Sequence, residues 1–139
     1  MKGLSALIRL HRWRLDEKRR ELAELERLED KLLESVRQID AEVAAEQAFA
    51  QQANMQGISF GGFAAGIIER RKRLAASMAE IKKQMDAKTE EVAEVFRELK
   101  RYEIAKDQRE KREQVEADRR TQAGLDEISI NQHQRGSDA

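Results

Sequence analysis

The sequence predicts an all-α fold, an antiparallel two-helix coiled-coil hairpin with helices over about residues 4–55 and 60–122. An apolar stripe recurs about every 3.5 residues along two long segments, the spacing of a heptad seam. One glycine cluster, from Gly57 to Gly66, parts the segments. The composition is that of long helices, 39% charged and 4% aromatic with no proline. Nothing therefore forbids an uninterrupted helical run. A helix of about 50 residues would span roughly 75 Å at about 1.5 Å per residue. A rod of this kind encloses little space, so the expectation is a protein without catalysis.

The first helix carries its stripe on Leu15, Leu22, Leu25, Leu32, Val36, Ile39 and Val43. Lys18, Glu29 and Glu46 interrupt it, and polar seam residues lower stability while fixing register. The opposite face alternates acidic and basic residues, as in Glu21 to Lys31. Pairs at i,i+4 there contribute only about 0.2–0.5 kcal/mol each. The seam must supply most of the stability.

The turn is expected at 56–66, with Ser59 as N-cap of the second helix and the glycines supplying unusual backbone angles. Ile58, Phe60, Phe63, Ile67 and Ile68 either seal the tip of the core or offer it to a partner. The second helix repeats its stripe on Leu74, Met78, Ile81, Met85, Val92, Val95, Leu99 and Tyr102. The same ladder then turns charged, through Lys106, Arg109, Glu113, Glu116 and Arg120. Gly124 punctuates the helix. Residues 1–123 form the hairpin, and 124–139 a short C-terminal appendage, helical or extended at 125–130 and disordered at its end.

Charge and chemistry exclude several classes. The 27 basic and 27 acidic residues cancel, so no basic excess points to nucleic acid. There is no cysteine for disulfides or thiolate metal sites. No apolar run reaches the roughly 20 residues that span a bilayer, and residues 1–10 are too short and too charged for a secretory signal. The expected compartment is the cytoplasm. His11 and His133 show no metal-ligand spacing and are expected to be solvated. Gly61-Gly62-Phe63 lacks the lysine of a phosphate loop. No cofactor and no metal are expected.

The open end of the hairpin is the candidate partner-binding surface. Residues 1–20 hold seven basic side chains against two acidic ones, a local charge of about +5 suited to an acidic protein surface. With a turn centred near residue 59, residue 4 should face about residue 114. The apolar strip of Leu4, Leu7, Ile8, Leu10, Trp13 and Leu15 would then meet a charged strip, leaving that end weakly paired. Trp13 points away from its own seam, which fits either a partner contact or an incidental exposed aromatic. The candidate contacts are Leu7, Arg9, Arg12 and Trp13 on the first helix, with Arg101, Arg109 and Arg112 on the second.

The stretch Phe96-Arg97-Glu98-Leu99-Lys100-Arg101-Tyr102-Glu103, then Leu125-Asp126-Glu127-Ile128 and Gln134-Arg135, with Gly57-Ile58-Ser59 at the turn, resembles the FliJ family of bacterial flagellar export proteins. The resemblance covers nearly the whole chain and includes the YscO type of virulence secretion systems. It implies a coiled-coil stalk set in the hexameric ring of a FliI-type export ATPase. It also implies contact with a FlhA-type export gate protein, escort of export chaperones, and a place at the inner face of the cytoplasmic membrane. The face implied to approach the gate reads here Ile67, Arg71, Leu74 and Met78, and Arg71 departs from its apolar pattern. Other readings of the same residues are a general cytoplasmic adaptor coiled coil and a membrane-surface helix at residues 1–20.

Overall fold

The computed structural model describes the backbone of residues 2–53 and 58–137, and the side chains of 3–52 and 61–136. Two helices account for all of it: α1, Lys2–Ala53, and α2, Ile58–Ser137. They pack against each other as a two-helix hairpin. The chain divides into two units, each built from a piece of both helices. The first, the hairpin unit, is Trp13–Val95; the second, the terminal unit, is Met1–Arg12 with Phe96–Ala139.

In the hairpin unit the heptad ladder is the contact face. Leu15, Ile39 and Ile67 are buried, Ile39 to 1% exposure. Leu22, Leu25, Leu32, Val36, Leu74, Met78, Ile81, Met85 and Val92 are half-buried. Half-burial is what a two-helix seam gives most of its side chains, because one facing helix covers mainly one side of each. At about 25 cal/mol per Å² the unit gains from many partly covered residues rather than from a few enclosed ones. Ion pairs set the direction of packing. Lys18 meets Glu91, Glu21 meets Lys88, Asp40 meets Arg71 and Glu42 meets Arg70. Partner numbers fall on α2 as they rise on α1, so the helices run antiparallel.

The pairing corrects the expected register. A turn centred on residue 59 would put Glu21 opposite Arg97, but it lies against Lys88. The reason is where α2 begins. It starts at Ile58, so Ser59 stands in its first turn, and Gly61, Gly62 and Gly66 are helical residues. A Cβ built at any of these three would meet nothing within 4 Å. Of the expected turn 56–66, residues 58–66 are therefore helix; 56 and 57 lie outside the described residues. Side chains at Ile58 and Phe60 also lie outside them. Helix formation wins here because glycine lowers helix stability by only about 1 kcal/mol each, less than a folded-back seam supplies.

The far end of α2 is also longer than expected. The helix passes Gly124 and continues to Ser137, so 125–130 take the helical of the two expected forms and 134–137 are helix rather than disordered; 138 and 139 lie outside the described residues. Past Glu110 every described residue through Gly136 is exposed, save Gly124 at an intermediate value. Local pairs line this stretch, among them Lys111–Asp107, Arg119–Glu116 and Gln122–Asp126.

Candidate partner-binding surface

The terminal unit is organised around a histidine. His11 continues the α1 ladder at heptad spacing between Ile8 and Leu15 and is 5% exposed. Its Nδ1 lies 2.9 Å from the Leu7 carbonyl oxygen and its Nε2 3.2 Å from Glu98 Oε2. Both nitrogens thus face acceptors, and the ring donates to both only when it carries both protons. Tyr102 packs its ring at 4.8 Å, tilted by 57°. Ile8 and Leu99 are buried in the same unit. Arg12 reaches Glu103 at 3.6 Å.

This arrangement corrects two expectations. His11 is not a solvated histidine; its partner Glu98 comes from α2. In the terminal unit an apolar α1 residue does meet charged α2 residues, as expected, but Ile8 is covered rather than left unmatched. Ile8 is 4% exposed, and half-buried Lys106 and Arg109 stand on the facing ladder of α2, with half-buried Glu103 beside it. Long charged side chains cover apolar surface with their stems while the heads stay in water.

A groove of about 430 Å³ runs beside this clasp. Ser5, Ile8, Arg9 and Arg12 line one wall; Glu103, Lys106, Asp107 and Glu110 line the other. The basic excess of α1 therefore looks onto carboxylates of its own partner helix, and the free field is smaller than a charge of about +5 suggests.

The sequence-derived contacts divide between the units. Leu7, at 39% exposure, and exposed Arg9, Arg12, Arg101 and Arg112 belong to the terminal unit, with half-buried Arg109. Arg12 and Arg109 are engaged, the latter with Glu113 at 3.9 Å. Trp13 belongs to the hairpin unit and is 61% exposed. Leu10 and Ile104 are further exposed apolar residues of the terminal unit.

In the hairpin unit, four charges interrupt the seam together. Lys88 Nζ lies 2.7 Å from Glu21 Oε2 and 2.9 Å from Glu91 Oε2. Lys18 Nζ lies 3.6 Å and 3.3 Å from the same two atoms. Glu91 Oε2 is cut off from solvent, between the two ammonium groups. The hydrogen bond from Lys88 is the main reason both carboxyls titrate below their ordinary value, and Glu21 is the main reason Lys88 titrates above its own. Arg70 holds Glu42 low in the same way. Alternating charges at this spacing make a polar rung that fits only one register.

The face implied to approach an export gate is occupied. Ile67 is buried, and Leu74 and Met78 are half-buried in the seam. Arg71, the residue that departs from the pattern, donates to Asp40 at 2.9 Å.

Among the described residues no group of three or more His or acidic side chains is placed to hold a metal ion, and no helix is long and apolar enough to cross a membrane. His11 and the Lys18–Glu21–Lys88–Glu91 rung were missed as sites, although both histidine and lysines stand on the ladders. Their spacing was the available signal; their partners follow only from the register. Set against known proteins, the chain matches no family model, no curated protein and no solved structure.

Proposed function

We propose that this chain is a non-enzymatic stalk of the flagellar type III export apparatus. It engages the ring of a FliI-type export ATPase, links it to a FlhA-type gate, and supports delivery of substrates and chaperones at the inner face of the cytoplasmic membrane. The resemblance in the sequence motivates the reading, and the observation that carries it furthest is the terminal unit. Within the terminal unit α1 is clasped to α2 through His11 and Glu98 beside buried Ile8 and Leu99, and the exposed residues include Leu7, Leu10, Arg9, Arg101 and Arg112. A ring can grip such an end without unfolding it, and a mechanical role needs no pocket.

The test is stimulation of a purified export ATPase. The parent chain should raise turnover. A Leu7→Ala, Arg9→Glu variant keeps Ile8, His11 and Leu99 in place, so it should fold with unchanged helicity and stimulate several-fold less. Trp13→Ala, made separately, reports on the exposed indole of the hairpin unit. Full stimulation by the first variant would remove the terminal unit as the contact. No stimulation by the parent chain would favour the second reading, a general coiled-coil adaptor, for which the exposed α2 stretch beyond Glu110 speaks. The stalk of a virulence secretion system is the same proposal with a different ATPase, and the two ATPases are compared in the same assay.

A further inference from the structure

We propose that the exposed stretch of α2, residues 110–136, is a docking surface for the same stretch of a second copy of this chain, laid antiparallel with Thr121 of each helix opposite Gly124 of the other. The proposal does not rest on the export reading. Described residues 111–136 are exposed save Gly124, which is intermediate, and ion pairs such as Lys111–Asp107, Arg119–Glu116 and Arg120–Glu116 are local. Each such pair stabilises a helix by only about 0.2–0.5 kcal/mol, so covering one face is a gain.

One side of this stretch carries a ladder at alternating spacings of four and three: Glu110, Gln114, Ala117, Thr121, Gly124, Ile128, Asn131 and Arg135. It continues a face already in use. At about 3.6 residues per turn, 18 residues make five turns, so Ala117 stands above buried Leu99 and Arg135 above Ala117. The side of α2 that packs on α1 in the terminal unit therefore runs on into the ladder.

In the stated register the ladder is complementary to itself. Glu110 meets Arg135 of the second copy, Gln114 meets Asn131, Ala117 meets Ile128, and Thr121 meets Gly124. Opposite charges, amides, and small against large residues fall on successive rungs. Beside the ladder, Arg120 faces Glu127 twice by symmetry. A slip of one heptad either way sets Glu127 against Glu127, or Arg120 against Arg120. A parallel pair sets Glu110 on Glu110 and Arg135 on Arg135.

Gly124 fits the same register. It lies inside a helix, where glycine is unfavourable by about 1 kcal/mol against alanine, yet a Cβ there would meet nothing within 4 Å and its backbone is helical. Among the described residues nothing asks for glycine there, as at Gly61, Gly62 and Gly66. A second helix crossing closely at Thr121 and Gly124 does.

With Ile128 as its main apolar residue, the contact is weak and concentration-dependent. Sedimentation velocity of the full chain across the micromolar range should show a reversible monomer–dimer equilibrium. Arg120→Glu or Glu127→Arg should each weaken it roughly tenfold, with unchanged helicity. The double variant should recover the parent value, and an equimolar mixture of the two single variants should associate better than either alone. The chain has no cysteine, so Thr121→Cys mixed with Gly124→Cys should form an interchain disulfide faster than Gly124→Cys with itself. A chain that stays monomeric throughout overturns the proposal and leaves the face to another occupant. So does a dimer indifferent to both charge reversals, or a double variant that fails to recover.

Discussion

The hairpin unit and the exposed stretch of α2 use the same helical alphabet and differ in what stands on the ladder. From Ile67 to Val95, α2 places apolar residues on its rungs, buried or half-buried against α1, broken only by exposed Arg71 paired with Asp40 and half-buried Lys88 paired with Glu21. From Glu110 to Arg135 it places Glu, Gln, Ala, Thr, Gly, Ile, Asn and Arg, all exposed save Gly124, which is intermediate. Both stretches are helical. Helix propensity and local ion pairs hold the second; burial holds the first. Secondary structure alone therefore says nothing about where stability resides.

The largest test of that difference is a matched pair of substitutions. Ile39→Asp places a carboxylate at the most enclosed position of the hairpin unit, where an unpaired charge costs several kcal/mol, or about as much as a Leu/Ile→Ala cavity of roughly 2–5 kcal/mol. It should lower the melting temperature sharply and abolish much of the cooperative transition. Ile128→Asp, at 54% exposure, should change it by less than about 0.5 kcal/mol in dilute solution. Equal losses in the two, followed by circular dichroism, would erase the distinction.

The charged rung gives an intermediate effect and a sign. Glu21 and Glu91 titrate below their ordinary value in the folded chain. Their contribution is complete above the ordinary glutamate value, about 4.3, and is lost as pH falls through their lowered folded values. Lys88 titrates above its ordinary value. Its contribution is complete below about 10.4 and is lost as pH rises through its raised folded value. Stability should therefore be flat between the two ranges and fall at both ends. Lys88→Met removes the partner common to both carboxylates. It should shrink the acid limb, leaving the share of Glu42 held by Arg70, and remove the Lys88 share of the alkaline limb; a variant with the parent's pH profile would place the dependence elsewhere.

The smallest effect separates a glycine used for conformation from one merely tolerated. Gly61→Ala should stabilise the chain by up to about 1 kcal/mol, since the position is helical and has room for a Cβ. A loss of stability measured by chemical denaturation would show that the start of α2 needs the freedom of glycine after all.

Much of the fold was legible in the sequence. Two seams from Leu15 to Val43 and from Leu74 to Tyr102 specify two antiparallel helices, because a heptad stripe can be buried only by another helix. Trp13 read as pointing off its seam, and it is exposed. His11 reads from sequence as solvated and Lys88 carries no reading, although both stand at ladder spacing; their partners Glu98 and Glu21 come from the other helix. Local pattern misled at the glycines. A cluster of them between two helices reads as a loop, yet Gly61, Gly62 and Gly66 lie within α2.

By itself, then, the sequence determined the fold class, the faces that pack and the residues able to interrupt them, since periodicity is a property of neighbours along the chain. Only the tertiary structure decided the register. That single offset places Lys88 between Glu21 and Glu91, gives His11 its Glu98, pairs Arg71 with Asp40, and shows which ladder positions of α2 meet α1 and which stand exposed. The physical reason is that sliding one helix by a heptad leaves every apolar stripe in contact while exchanging every charged partner. Its resolution comes from the summed cross-helix pairs, which no single segment contains.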